Sequence, residues 1–320
     1  MPAVAIIGTG LIGRSWAIVF ARAGWDVRIA DPSAEQLATA PRLIRKGLDE
    51  LAMHGLAENP EAAARRVSPA ASLEAAVEGV DLVQENGPEV PEVKRKLFAE
   101  LDRLAPQTAI MASSTSAIVA SRFTEHLAHR ERCLVGHPVN PPHLVPLVEV
   151  CGAPWTDRGS IEKARAIYAS VGQVPIIVNR EVEGFVLNRL QGALLSEALR
   201  LVAEGVVTPH DLDKTVKDGL GLRWSFMGPF ETIELNAPAG IADYCARYGG
   251  FYSRLAADAA KPEVWDEASV ARVVDAWGEA QAPNVVAAKS AWRDDRLAAL
   301  RAHKMAQPEG RGLEARRERP

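Results

Sequence analysis

Four side chains in this 320-residue sequence have the types and positions to oxidise an alcohol. His137 closes the run CLVG, Glu149 lies near the end of PLVEV, Ser116 follows TAIMASST, and Asn188 sits near the start of a long helical segment. Oxidising a hydroxyl needs a base that takes the proton as hydride leaves, and imidazole titrates in the right range for that work. A neutral imidazole that offers one nitrogen to a substrate needs an anchor for its other N–H. Glu149 suits that place, and its charge would stabilise the imidazolium that forms. Ser116 and Asn188 can hydrogen-bond the reacting oxygen and hold it for transfer. Each residue also has a plainer reading. His137-Pro can be a satisfied turn, Glu149 a solvated strand end, Ser116 the cap of a helix starting at Ala117, and Asn188 structural.

The hydride acceptor has its own signature. GTGLIG places Gly8, Gly10 and Gly13 between an apolar run and a helical one. Gly8 permits the tight turn, Gly10 admits a pyrophosphate to the backbone, and Gly13 lets the helix pack close to the strand. Gly10, Leu11 and Ile12 open the helix, where free N–H groups and the positive end of the dipole favour a diphosphate. Asp31, at the end of the second apolar run, stands where a carboxylate bonds both ribose hydroxyls and repels a 2′-phosphate. The combination points to NAD rather than NADP. The plainer reading is a glycine turn in a domain that binds no nucleotide, with Asp31 a solvated loop acid.

These residues need elements to carry them, and the first half supplies strands alternating with helices. VAIIG from Val4, VRIAD from Val27, VDLVQE near Val80, TAIMAS from Thr108, CLVGHP, PLVEV and PIIVN near Pro175 read as strands. LIGRSWAIVFARAG, the segment from Ala34 to about Met53, and Pro91 to Leu104 read as helices. Alternation of this kind predicts an α/β fold with a parallel, doubly wound, Rossmann-like sheet, and the four polar residues then fall at strand ends, where such sheets bind ligands. From Glu183 the pattern is helical: FVLNRLQGALLSEALRLVAEG predicts one long helix, and TPHDLD starts another, with Thr208 as cap and Pro209 in its first turn. The expected division is an NAD-binding domain over 1–182, an all-α domain over 183–306, and a polar, flexible tail over 307–320.

Composition narrows the class. Hydrophobic residues make up 48 % and charged residues 24 %, enough for a large packed core without metal or disulfides. The net charge of −4 disfavours a nucleic-acid binder or a polybasic membrane surface. Cys133, Cys151 and Cys245 are scattered and odd in number, which argues against a zinc site or disulfide framework and for a reducing compartment. No signal-peptide pattern precedes VAIIG and no apolar run is long enough for a bilayer, so a cytoplasmic protein is expected.

The motifs GTGLIG, SSTSAIV, HPVNPPHLVPLVEV, GFVLNRLQ, DGLGLRWSFMGPFET and ELNA resemble the 3-hydroxyacyl-CoA dehydrogenase family, and within it the branch of lambda-crystallin and L-gulonate 3-dehydrogenase. The resemblance covers roughly Val4 to Tyr252. It implies His137 and Glu149 as the catalytic pair, Ser116 and Asn188 as ligands of the substrate oxygen, and Gly8, Gly10, Gly13 and Asp31 at the cofactor. It also implies a further acid and lysine near the cofactor, Glu89 and Lys94. A helical second domain that forms a homodimer, with the active site in the cleft between the domains, belongs to the same implication. Two departures from the acyl-CoA pattern stand out. Ser114, Thr115 and Ser116 replace Asn-Thr-Ser, and LGLRWSF is longer than the usual glycine-rich link. Its Arg223 could take a free carboxylate in a two-pronged contact, or could simply pack on Trp224. L-gulonate is the first substrate expected, a 3-hydroxyacyl-CoA the second and L-carnitine the third. Trp224, Phe226 and Tyr252 are candidates for the cage a quaternary ammonium would need. A bulk structural role, as in lens, is the alternative of a different kind.

Overall fold

The computed structural model describes residues 1–278 and 282–307. The tail expected to be flexible therefore lies, apart from Gln307, outside the described residues. Eight strands form one sheet: β1 (Ala3–Ile7), β2 (Asp26–Ala30), β3 (Val67–Pro69), β4 (Leu82–Glu85), β5 (Ile110–Ser113), β6 (Cys133–Pro138), β7 (Leu147–Gly152) and β8 (Val174–Val178). Their order is β3-β2-β1-β4-β5-β6-β7-β8. Every residue of β1, β4 and β5 is buried, as expected for strands covered on both faces by helices. The twofold alternation of a strand divides the core. Val4 and Ile6 join Trp16, Phe20 and Leu48 on one face. Ala5 and Ile7 join Phe98, Phe123 and Met111 on the other.

Two features of the sheet differ from the sequence expectation. β3 is a three-residue strand, too short for a periodic signal. The final pair also breaks the parallel rule, because β7 runs antiparallel to β6, and β8 follows β7. The cause is chain length. Residues 139–146 are too few for a parallel crossover, which needs about a dozen or more, so the chain folds straight back. The helix Arg158–Ser170 then provides a full crossover to β8. This reversal sets His137 directly opposite Glu149 in the β6–β7 register.

The chain forms two compact units whose limits differ from the expected division. The first is Met1–Asn188 together with the chain from Ala288, and the second is Arg189–Ala287. The helix Pro283–Ala306 thus returns to the first unit over most of its length. There Ala298 enters the core, Asp295 meets His54 at 2.8 Å, and Arg301 bonds the His143 carbonyl. Its polar composition gave no hint of a docking partner. The second unit is helical, with Pro209–Lys214, Pro229–Glu234, Ile241–Ala257 and Glu267–Trp277 among its helices. Thr208 caps the first of these by accepting from the Asp211 N–H. Among the described residues no helix is long and apolar enough to cross a membrane.

Candidate active site

The antiparallel pairing brings His137 and Glu149 together. His137 Nδ1 lies 2.7 Å from Glu149 Oε2, with the imidazole 4 % and the carboxylate 0 % exposed. An ionised carboxylate only accepts hydrogen bonds, so Nδ1 carries the proton and Nε2 presents its lone pair. No described residue bonds Nε2. The second carboxylate oxygen, Oε1, accepts from the backbone N–H groups of Val186 at 2.8 Å and Leu187 at 3.0 Å. Burial by itself raises the Glu149 pKa. The bonds from His137, Leu187 and Val186 outweigh that and hold the carboxyl below its ordinary range.

Glu149 therefore joins the end of the sheet to the start of the next helix, Leu187–Ala203. The turn before that helix has two left-handed residues, Gly184 at φ 75° and Phe185 at φ 49°. That conformation is costly for a bulky residue. Phe185 is fully buried, and its ring lies 5.4 Å from the imidazole, centroid to centroid, at 34°. The ring walls one side of His137. The helical spacing of FVLNRL predicts Phe185 inside the helix and gives no sign of the turn.

The same turn delivers Asn188, whose Nδ2 donates to the Ser116 carbonyl at 2.9 Å. The Ser116 segment is gripped from the other side by Glu89. One oxygen, Oε1, accepts from the N–H groups of Ser116 and Ala117 at 2.9 Å each and from the Thr115 hydroxyl. Ser116 does not cap a helix at Ala117; the next helix is Ser121–Thr124. Hydrogen bonds and chain neighbours thus link His137, Glu149, Asn188, Ser116 and Glu89 into one continuous cluster.

Lys94, which the family resemblance places near the cofactor, lies beneath the 85–89 turn. It is 1 % exposed and pairs with both oxygens of Glu85 at 2.9 Å. Glu85, fully buried at the end of β4, also takes the Ser113 hydroxyl and the Gly87 N–H. The pair holds the 85–89 turn from beneath, and the Lys94 ammonium stands 3.9 Å from Glu89. Glu85 is not among the residues the motifs single out. The available signal was an acid ending an apolar strand with a lysine nine residues on.

At the C-terminal end of β1, beside the 85–89 turn, the glycine turn has the geometry of a dinucleotide cradle. Gly8 has φ 92°, and a Cβ there would meet the Asn86 carbonyl at 2.8 Å. A Cβ on Gly13 would lie 1.8 Å from the Gly8 carbonyl oxygen, whereas one on Gly10 would meet nothing within 4 Å. The open side is thus at Gly10, where the helix Leu11–Arg22 begins with no side-chain cap and Leu11 is exposed. Partly buried Ile12 packs inward against the core. Asp31 accepts from the Thr9 N–H at 2.6 Å, the Thr9 hydroxyl at 2.9 Å and the Ser33 N–H at 2.8 Å. It ties β2 to the turn and retains lone pairs for ribose hydroxyls. These residues fit NAD. Replacing Gly13 with alanine is expected to raise the KM for NAD+ at least about tenfold, because the helix start must shift away from the turn. NADH fluorescence titration reads the same loss, and unchanged affinity would overturn the assignment.

A doubly wound sheet with an uncapped glycine turn, a ribose acid and a buried His–Glu pair defines a pyridine-nucleotide dehydrogenase. The chain belongs to the 3-hydroxyacyl-CoA dehydrogenase family. Residues 3–182 match the model of its NAD-binding domain and residues 184–273 that of its C-terminal domain. It is an NAD-dependent dehydrogenase acting on a CH–OH group. It is similar to the lambda-crystallin homolog of Mus musculus, 42 % identical over 93 % of this chain and 94 % of that protein. It is also similar to L-carnitine dehydrogenase of Pseudomonas putida, 37 % identical over 92 % of each. Among solved structures it resembles a 5-formyl-3-hydroxy-2-methylpyridine 4-carboxylic acid 5-dehydrogenase, described as an NAD+-dependent dismutase. That match has a TM-score of 0.83 and 31 % identity, covering 96 % of this chain and 100 % of that one.

Proposed function

We propose that this dehydrogenase oxidises the 3-hydroxyl of a small, free hydroxy acid, with an L-gulonate-like compound as substrate, to the 3-oxo acid. The observation that carries the chemistry is the 2.7 Å His137–Glu149 pair with Nε2 left to the substrate. Bound NAD+ supplies the hydride acceptor. His137 Nε2 takes the hydroxyl proton as C3 gives up hydride, and Glu149 stabilises the imidazolium that results. Ser116 and Asn188 hold the reacting oxygen. Asn188 is already oriented by its bond to the Ser116 carbonyl. Glu89 acts by shaping the Ser116 segment. Lys94 acts one step further back, through Glu85 and the 85–89 turn. Release of CO2 from a 3-oxo acid needs no further residue.

Arg223 is assigned the substrate carboxylate. Within the second unit it is the charged residue lining an otherwise largely apolar hollow of about 490 Å³ with Thr215, Leu220, Leu222 and Phe226. No described residue forms an ion pair with its guanidinium. A thioester offers no charge for it, whereas carnitine and a pyridine carboxylic acid, named for two of the similar proteins, both do. Arg223→Met is expected to raise the KM for gulonate about tenfold to a hundredfold with kcat changed far less, the loss of one two-pronged contact. Turnover should be compared with gulonate, 3-hydroxybutyrate, 3-hydroxybutyryl-CoA and carnitine. Preference for the CoA ester, or an unchanged KM in the variant, would overturn this reading. NADH binding without any turnover would favour a crystallin-like role. The second unit also exposes Phe230, Leu235 and Trp277, each at least 49 % open. We assign that surface to a homodimer, which sedimentation equilibrium tests.

A further inference from the structure

A cluster of positive charge with no acid in contact lies on the first unit, outside the site described above. Arg22 ends the helix Leu11–Arg22, and its Nη1 donates to the His143 carbonyl at 3.1 Å. Arg301 donates to the same oxygen at 2.8 Å and, through its other terminal nitrogen, to the Gly172 carbonyl at 3.1 Å. Two guanidinium groups thus converge on one neutral acceptor. Arg293 adds its field nearby, although Asp294 pairs with it at 2.7 Å. Among the described residues no carboxylate contacts Arg22 or Arg301.

The unpaired charge has polar company. His143 Nδ1 is buried without a hydrogen-bond partner. Gln173, next in the chain to the Gly172 that holds Arg301, is only 5 % exposed, yet neither its side-chain oxygen nor its nitrogen has a partner. Buried polar atoms are nearly always satisfied, so an unpartnered His143 Nδ1 beside two arginines that share one carbonyl marks a place built for something more. Burial and the neighbouring Arg301 push the Arg22 guanidinium down to about 9. Burial, with Arg22, Arg301 and Arg293, pushes His143 down to about 4. Burial is the larger cause of both shifts and like charge the smaller, and no acid offsets either.

We propose that Arg22, Arg301 and His143 form a binding site for a small tetrahedral oxyanion, with phosphate as its natural occupant. The guanidinium groups supply charge and paired N–H donors, the geometry phosphate prefers. The site is separate from the dinucleotide turn, because Arg22 stands about 16 Å along the helix from Leu11. It bears on the chemistry through residues 139–146, which carry His143 and join the strand of His137 to the strand of Glu149. An oxyanion bound there would brace that loop.

The test uses the NADH-loaded full chain, so that the glycine turn is already filled. Inorganic phosphate is titrated calorimetrically against chloride of equal ionic strength. The expected result is saturable one-to-one binding, weakened at least about tenfold in Arg22→Met and in Arg301→Met, as loss of a charge-assisted contact requires. Arg45→Met removes a surface arginine paired with Asp49 and should leave binding unchanged. Should Arg22→Met fold poorly, the more peripheral Arg301→Met carries the test. Absence of saturable binding to the parent protein, or equal binding by parent and Arg301→Met, would overturn the proposal.

Discussion

Alanine at position 137 is expected to slow alcohol oxidation by about two to four orders of magnitude, the usual contribution of a positioned general base. The size of the effect follows from the setting. His137 is buried, its Nδ1 proton is committed to Glu149, and Phe185 walls its ring. A water molecule entering the vacated space is a weaker base and is not oriented. Removing the imidazole should leave NADH affinity within about twofold, because the glycine turn and Asp31 belong to separate strands. Steady-state NADH formation and fluorescence titration on one preparation separate the two effects. Full activity in the variant would remove the proposed chemistry altogether. A loss of NADH binding equal to the loss of rate would show that His137 is structural.

The second large effect concerns stability. Lys94→Met removes the partner of Glu85, a carboxylate that is 0 % exposed beneath the 85–89 turn. Breaking a buried pair from one side costs about 3–5 kcal/mol, since the remaining charge is neither solvated nor paired. For a protein of this size that lowers Tm on the order of 10 °C. The companion Lys94→Met/Glu85→Leu should recover much of the loss, because no uncompensated charge is left. Calorimetric melts of both variants check this. A single variant as stable as the parent would show that Lys94 carries little of the turn. Activity in the double variant should stay low, because the Gly87 N–H then has no acceptor and the loop carrying Glu89 loses its anchor.

Much of this arrangement was legible in the residues. GTGLIG between an apolar strand and an amphipathic helix, with Asp31 at the end of the next strand, specifies a local structure and a ligand together. The geometry of Gly8 and Gly13 has the tightness that pattern demands. The place of His137 could also be read, because it follows the apolar run CLVG and falls next to last in β6, whereas Glu149 lies inside β7 and not at its end. Other features left no such trace. Phe185 looks helical, since its side chain suits a helix and only the backbone departs from one. The burial of Lys94 leaves no local sign, since it depends on a partner nine residues earlier. The helix Pro283–Ala306 reads as polar, and nothing in it names the first unit as the place it returns to.

Side-chain chemistry and short-range periodicity settled the class of cofactor and the strands that carry the polar residues, because both are properties of a few adjacent residues. The pairing of those residues was decided in three dimensions. A loop too short for a crossover reversed β7, and the antiparallel register set Glu149 opposite His137. The strained turn at Gly184 and Phe185 then brought two backbone N–H groups onto the same carboxylate and Asn188 to the Ser116 carbonyl. Contacts of that kind join segments tens of residues apart. They exist only once the whole sheet has closed, so no local pattern encodes them.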